Sequence, residues 1–374
     1  MSLELKKFVE DLYKSYAPLA QSDLQLIGRN KEDNFRKLSL EKCQKLSPDD
    51  AKRVEDELFG WGPLAKIIHN KTVFDILIQG PHHIFFEDSS GLHRHNDCFL
   101  SQSSFRNFSE FLMDKANIVV NQRDPFGNGQ IESFRVHIVR PPISEKITIT
   151  LRKQRQQALC RQSLLKNHFL NESQNEIIEE ILEERKNFLV VGPTGSGKTT
   201  FLNSLIADIP PDQRLIVIED TDEIQVTNPL CSKLLSREIC PESLKTVDMG
   251  QLVKQSLRMR PDRLVIGEVR GPEAKDLLQA LATGHSGSMG TLHAQSAQQA
   301  LLRLEMLVQM GAPQWSLHSI RQLIQLSLSY LIVLREDRQR KGIKEIKKIT
   351  SHESFGLLVE DADLFRSKGI QSKS

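Results

Sequence analysis

One octapeptide limits what this chain can fold into more than any other feature: Gly192-Pro193-Thr194-Gly195-Ser196-Gly197-Lys198-Thr199. It follows the apolar run Phe188-Leu189-Val190-Val191 and leads through Thr200 into Phe201-Leu202-Asn203-Ser204-Leu205. A strand, a glycine-rich turn and a helix in that order let the backbone curl until its N–H groups face inward, and the helix N-terminus adds positive dipole at the same point. Such a turn cradles phosphate. Lys198 then reaches the β- and γ-phosphates of a nucleoside triphosphate, and the Thr199 hydroxyl can ligate Mg²⁺.

A length of 374 residues suggests two or three domains. The formal net charge of +2 implies no large basic surface, which disfavours a dedicated nucleic-acid binder. The cysteines, Cys43, Cys98, Cys160, Cys231 and Cys240, are scattered with no CxxC pair, so neither a zinc site nor a disulfide framework is signalled. They read as idle thiols in a reducing cytosol. The N-terminus, Met1-Ser2-Leu3-Glu4-Leu5-Lys6-Lys7-Phe8, mixes both charge signs and does not read as a signal peptide. The longest apolar stretch, 326–334, falls far short of the ~20 residues of a spanning helix, so membrane contact is expected to be peripheral or through a partner.

Along the chain, residues 1–54 read as a helical N-terminal extension. Within it Ser47-Pro48-Asp49-Asp50 starts a helix that runs to about Phe59 and stops at Gly60. Residues 55–152 carry short β-like runs at 74–78, 84–86, 134–139 and 147–151 around a helix near 103–115, a small α+β domain. Residues 153–165 read as a linker. Ser173-Gln174-Asn175-Glu176 reads as a capping box whose helix ends in Arg185-Lys186. From residue 166 to 350 strands and helices alternate, the pattern of a mostly parallel sheet covered on both faces; 351–374 reads as a tail, disordered over 366–374.

Three further segments carry chemistry. Arg214 to Ile218 is a buried-strand pattern running into Glu219-Asp220-Thr221-Asp222-Glu223, where the acids would repel one another without a cation or water network. Leu264-Val265-Ile266-Gly267-Glu268 is a second apolar strand with glycine where P-loop ATPases usually put an aspartate. Glu268 can bind Mg²⁺ through water or polarise the attacking water. The segment from Thr283 to Ala294 holds His285 and His293 among glycines and reads as a switch that senses γ-phosphate. Arg258, Arg260, Arg263 and Arg270 crowd the same strand, and one or two of them can neutralise transferred charge.

In order, these segments resemble the Walker A box, Asp box, Walker B box ending Gly-Glu, and His box of the type II/type IV secretion ATPases. Gly60-Trp61-Gly62-Pro63-Leu64, Phe134-Arg135-Val136-His137, Pro141-Pro142 and Ile149-Thr150-Leu151-Arg152-Lys153 look like that family's N-terminal sensor domain. The resemblance covers about residues 55–350 and is greatest to the CpaF-type ATPases of Tad pili, with those of type IV secretion next. It implies an α/β fold with a RecA-like P-loop core and a smaller N-terminal α+β, PAS-like domain. It implies ATP as substrate with Mg²⁺, and a homo-hexameric motor docked on an inner-membrane platform protein at the cytoplasmic face. No direct nucleic-acid partner is expected. By residue it implies Lys198 and Thr199 on phosphates and Mg²⁺, Glu219 near the attacking water, Glu268 as the Walker B acid, His285 and His293 as His-box residues, and Arg260 as a nucleotide-site arginine. Arg135 and Arg152 are implied to reach the phosphates when the domains close.

The chain departs from the family pattern at Pro125 to Ser133, which replaces an acidic run, and it lacks the tetra-cysteine zinc module of the pilus-extension branch. Ser319 to Ile324 only loosely resembles the retraction-motor signature. The alternative is a RecA-like nucleic-acid motor for DNA translocation or packaging, which would need a basic channel with stacking aromatics. A GTPase is not supported, because Asn30-Lys31-Glu32-Asp33 lies upstream of the phosphate loop.

Overall fold

The computed structural model describes residues 3–20, 37, 39–88, 90–153, 160–237, 245–335, 341–353 and 356–362. Cys240, the segment 30–33, residues 154–159 of the expected linker and the stretch 366–374 lie outside the described residues. The chain divides into two compact units, Met1–Gln156 and Gln157–Ser374.

The first unit begins with helices α1 (Leu3–Ala20) and α2 (Pro48–Phe59). Ser47 caps α2 by accepting from the Asp50 N–H, with Pro48 at the first helical position, as the sequence predicts. Leu5, Val9 and Leu12 pack with Cys43, Val54 and Leu100 in a small core, so the N-terminal helix belongs to this unit and is not a detached extension. A 3₁₀ turn at Gly62–Leu64 leads into the short helix α3 (Ala65–Ile68).

Six antiparallel strands follow: β1 (Asp75–Gln79), β2 (Ile84–Asp88), β3 (Gly91–Arg94), β4 (Phe126–Ile131), β5 (Phe134–Val139) and β6 (Thr148–Lys153), in the order β3-β2-β1-β6-β5-β4. Helix α4 (Gln102–Lys115) buries Phe105, Phe108 and Leu112 with the inward residues Ile76, Ile78, Val136, Ile138, Ile149 and Leu151. The period-2 alternation of these strands is what separates the packed face from the other. β3 and β4 escape sequence reading. β4 carries glycines because a loop lies on it: a Cβ at Gly129 would come within 2.4 Å of the Ala116 carbonyl oxygen. The departure at Pro125 to Ser133 is therefore an edge strand, paired to β5 from Phe126↔Val139 to Ile131↔Phe134.

The second unit starts with helices α5 (Arg161–Lys166) and α6 (Glu172–Glu183). Helix α5 takes up the end of the expected linker, 153–165, and runs one residue past it. The capping box of α6 is Asn171 with Gln174, two residues before the predicted one, and the helix ends at Glu183 with Arg185 in the left-handed region. Next come β7 (Phe188–Val191), α7 (Lys198–Ile206), β8 (Leu215–Glu219), β9 (Ser232–Leu235), α8 (Met249–Ser256) and β10 (Arg263–Val269). Then follow α9 (Glu273–Ala282), β11 (Met289–Leu292), α10 (Ala297–Gly311), α11 (Leu317–Ser327) and β12 (Tyr330–Leu334). Two strands close the unit, β13 (Ile343–Glu353) and β14 (Gly356–Asp361). The sheet order is β14-β13-β12-β7-β11-β10-β8-β9. Strands β12 through β9 run parallel, and β13 and β14 add an antiparallel edge. The expected tail thus contributes an edge strand over 356–361. Separate apolar cores cover the two faces. This is an α/β fold with a RecA-like parallel core. Among the described residues, no helix is long and apolar enough to cross a membrane.

A buried carboxylate ties α2 to the start of α4. Glu57 is 4 % exposed and accepts from Arg53 at 2.7 Å, from the Leu100 N–H at 2.7 Å and from the Ser104 hydroxyl. Removing a charge partner from such a set leaves the others buried and unpaired. Glu57→Ala is expected to destabilise the N-terminal unit by about 3 kcal/mol. Urea unfolding in a Trp315→Phe background checks this, because Trp61, packed on Phe108 and Phe134, then reports this unit alone.

Candidate nucleotide site

Four of the parallel strands, β7, β8, β10 and β11, end side by side: Val191 lies opposite Leu292, Ile218 opposite Ile266, and Val269 opposite Leu292 after a register shift past Ile266. Their C-terminal ends therefore share one edge, where open α/β sheets bind ligands. The phosphate loop leaves β7 at that edge. Gly195 and Gly197 take φ of 78° and 95°, which lets the chain reverse into α7. Ser196 is buried, and its hydroxyl donates to the Pro193 carbonyl at 2.9 Å. The Lys198 ammonium donates to the carbonyls of Gly192 at 2.8 Å and Pro193 at 3.0 Å, so it is held inside the curve of the loop. Burial lowers the Lys198 pKa, with Glu268 opposing the shift. Thr194, exposed at the tip, has its hydroxyl 3.5 Å from His293 Nδ1, and Thr200 follows Thr199 on the first turn of α7.

The acidic run at the end of β8 is divided between cations. Lys233, on the neighbouring strand β9, pairs with Asp222 and donates to the Ile224 carbonyl at 2.5 Å; its ammonium is 3.7 Å from Glu219 Oε2. Arg270 donates to Asp220 at 2.7 Å and to Glu268 at 2.7 Å. Glu219 is only 2 % exposed. Its Oε1 accepts the N–H groups of Glu223 at 3.0 Å and Ile224 at 2.9 Å, while Oε2 makes no hydrogen bond. Burial pushes this carboxyl up to about 7, against those two N–H bonds and the Lys233 charge. Glu219 thus shapes the loop, and the acid that meets the phosphate-loop helix is Glu223, which accepts from the Thr199 hydroxyl at 3.4 Å. Asn203 of α7 binds the same loop, donating to the Glu223 carbonyl at 3.4 Å and accepting from Gln225 at 3.2 Å.

Gly267 is explained by the same carboxyl. A Cβ at this position would lie 2.9 Å from Glu219 Cγ and 3.4 Å from its Cβ. The glycine vacates the space that the buried side chain fills, so the usual aspartate has no room here. Glu268, the next residue, is half-buried at the strand end. Burial pushes its carboxyl up, but Arg270, then Lys198 and His293, outweigh this and hold it below the usual carboxylate range. Glu268 and the Thr199 hydroxyl are oxygen donors of the kind Mg²⁺ takes, and Mg²⁺ usually completes its shell with substrate phosphates and water.

The two histidines part company. Strand β11 is buried throughout and lies between them. His293 follows it at the phosphate-loop edge, where burial and then Lys198 lower its pKa. His285 precedes it at the opposite edge, its Nδ1 2.9 Å from the Ala280 carbonyl oxygen. Arg260, exposed and at φ 54°, precedes β10 at that same far edge. Seven residues of parallel strand span roughly 20 Å, so neither His285 nor Arg260 joins the phosphate loop of its own chain. Arg263 is structural: its guanidinium donates to Gln213 at 2.6 Å and to the carbonyls of Gly287 and Leu182. Burial lowers its pKa to about 10.

In the N-terminal unit Arg135 and Arg152 are cross-strand neighbours on β5 and β6. They stand on the face away from the apolar core, since Val136 and Leu151 beside them point inward. Arg152 donates to both oxygens of Asp75, at 2.8 and 3.3 Å. Sequence reading missed the role of Glu223, although its place four residues after Glu219 was visible. Lys233 carried no signal, because only sheet pairing brings β9 beside β8.

A parallel sheet with a glycine-rich loop, a lysine at the helix start and acids on the adjacent strand ends defines a RecA-like P-loop core. The chain belongs to the type II/IV secretion system protein family, whose profile matches residues 57–346. It is 33 % identical over 305 residues to a Mycobacterium tuberculosis protein described as a "putative conjugal transfer protein", covering 79 % of this chain and 85 % of that one. It is 28 % identical to the type IV secretion system protein VirB11 of Bartonella henselae, covering 66 % and 79 % of the two chains. Its fold is similar to that of the pilus retraction motor PilT solved with ADP, with a TM-score of 0.51, 18 % identity and coverage of 80 % and 84 %.

Two outcomes are expected. Gly267→Ala forces Glu219 out of its place and costs about 1–3 kcal/mol in chemical denaturation, less in a Glu219→Ala background where the clashing Cγ is gone. The Glu219 carboxyl binds its proton more tightly folded than unfolded, so folding stability falls as pH rises from about 4.5 to about 7. Glu219→Gln flattens that slope by up to roughly 3 kcal/mol, read from urea midpoints across the same pH range.

Proposed function

We propose that this protein is an ATP-hydrolysing motor of a bacterial secretion or pilus machine, working as a homo-hexamer with Mg²⁺. The observation that carries the reading is the convergence at one sheet edge of Lys198, Thr199, Glu268, Glu223 and His293, from strands and loops far apart in sequence. Lys198 and Thr199, with the loop N–H groups of Thr194, Gly195 and Gly197, bind the phosphates. Thr199 and Glu268 hold Mg²⁺, which supplies charge neutralisation on the phosphates when bound. Glu268, kept ionised, has the charge to orient or polarise the attacking water.

Arg135 and Arg152 are read as contributors from the N-terminal unit, arriving when nucleotide draws that unit toward the core. Hydrolysis then releases it, and a rigid-body rotation about the linker becomes the stroke. Arg260 and His285, at the far edge of the sheet, are candidates to act on the nucleotide of a neighbouring subunit in the ring. The relatives named for type IV secretion and conjugal transfer support a place at the inner-membrane face, on a platform protein.

Phosphate release by the full chain with ATP and Mg²⁺ tests the reading. Lys198→Ala and Glu268→Gln are each expected to lower turnover by at least two orders of magnitude, on the scale of losing a main transition-state contact. Glu268→Gln should still bind a fluorescent ATP analogue. Normal turnover in either variant would sink the assignment. Light scattering in ATP reads the ring size.

A further inference from the structure

The backbone at Arg270 is held by the start of α9. The Glu273 carboxylate, at the start of α9, accepts both the Arg270 N–H and the Gly271 N–H at 2.8 Å. A Cβ at Gly271 would approach Glu273 Oε2 to 2.7 Å, so a side chain there would push the Glu273 carboxylate aside. This turn sends the Arg270 side chain back over the end of β10. One arm of the guanidinium reaches Asp220, just past β8, and the other reaches Glu268 on β10.

The Arg270, Asp220 and Glu268 side chains are 51 %, 33 % and 22 % exposed. Pairs this open add only about 0–1 kcal/mol to stability. What they do supply is geometry. A planar fork that spans two carboxylates fixes their separation and the rotamer of each, which a lysine ammonium on a flexible stem does not. Lys198, which also acts on the Glu268 carboxylate, is held on the loop carbonyls.

We propose that Arg270 is a positioning residue: it braces Glu268 against Asp220 and so sets where the Glu268 carboxylate meets the nucleotide. The inference rests on the reading of the protein as an ATPase that depends on Glu268. Arg270 touches neither phosphate nor water in this account. It acts through Glu268, so its removal should disturb the chemical step more than nucleotide binding.

Steady-state phosphate release by the full chain, with kcat and KM resolved, tests this. Arg270→Gln is expected to lower kcat on the order of tenfold to a hundredfold, the scale of a small misplacement of a reacting group. KM should stay within about threefold. Arg270→Lys should recover only part of the loss, because one ammonium cannot hold both acids in a fixed plane. Asp220→Asn should lower kcat less, and should add little to Arg270→Gln, since both break the same brace. Thermal unfolding of each variant separates a folding defect from a loss of positioning. Unaltered kcat in a folded Arg270→Gln, a loss confined to KM, or full additivity with Asp220→Asn would overturn the proposal. Absence of turnover in the unsubstituted chain would instead sink the ATPase reading, and this inference with it.

Discussion

The parallel pairing of β7, β11, β10 and β8, regular except for a register shift between β10 and β11 after Ile266, is the constraint on which the rest of this molecule depends. The strands are buried apart from Gly267 and Glu268 of β10, and each ends within a residue or two of its neighbour. Parallel strands need long crossover connections, so segments separated by tens of residues are delivered to one edge. The phosphate loop, the acidic run, Glu268 and His293 meet there for that reason. The same geometry sends the N-terminal ends of those strands, with Arg260 and His285, to the opposite edge.

Bringing acids together raises a charge problem, and the core answers it with more than one device. Lys233 and Arg270 each take two of the carboxylates. Glu219 is driven into the protein, where its pKa rises to about 7 and its Oε1 anchors two N–H groups of the loop. That burial requires space, and Gly267 leaves it. The glycine in the Walker B position and the acid at the end of β8 are therefore one feature. The loop so anchored carries Glu223 to the Thr199 hydroxyl.

Much of the site was legible because its local chemistry is strict. A curled loop that cradles phosphate needs glycines at Gly195 and Gly197, where φ is positive, and a lysine at the first turn of the next helix. The helix start at Ser47-Pro48 was legible for the same reason, since capping is local. Less was legible where a contact depends on another part of the chain. β4 is glycine-rich because the segment 116–120 just before it folds back onto it, so it lacks the residues that advertise a strand. The strand at Gly356–Asp361 is short and mixed in polarity, and it forms by pairing with β13.

By itself the sequence determined the phosphate loop, the apolar strands that end in acids, and the kinship that these motifs carry, because each depends on residues close together in the chain. Only the tertiary structure decided where each acid lies and what it contacts. Burial set Glu219 against two N–H groups of its own loop, proximity made Glu223 the partner of Thr199, and the turn at Gly271 aimed Arg270 at two carboxylates. It also separated His285 from His293, since a buried strand between two residues of one motif carries them to opposite edges of the sheet. Local spacing sets which groups are available; sheet register and burial set which of them meet.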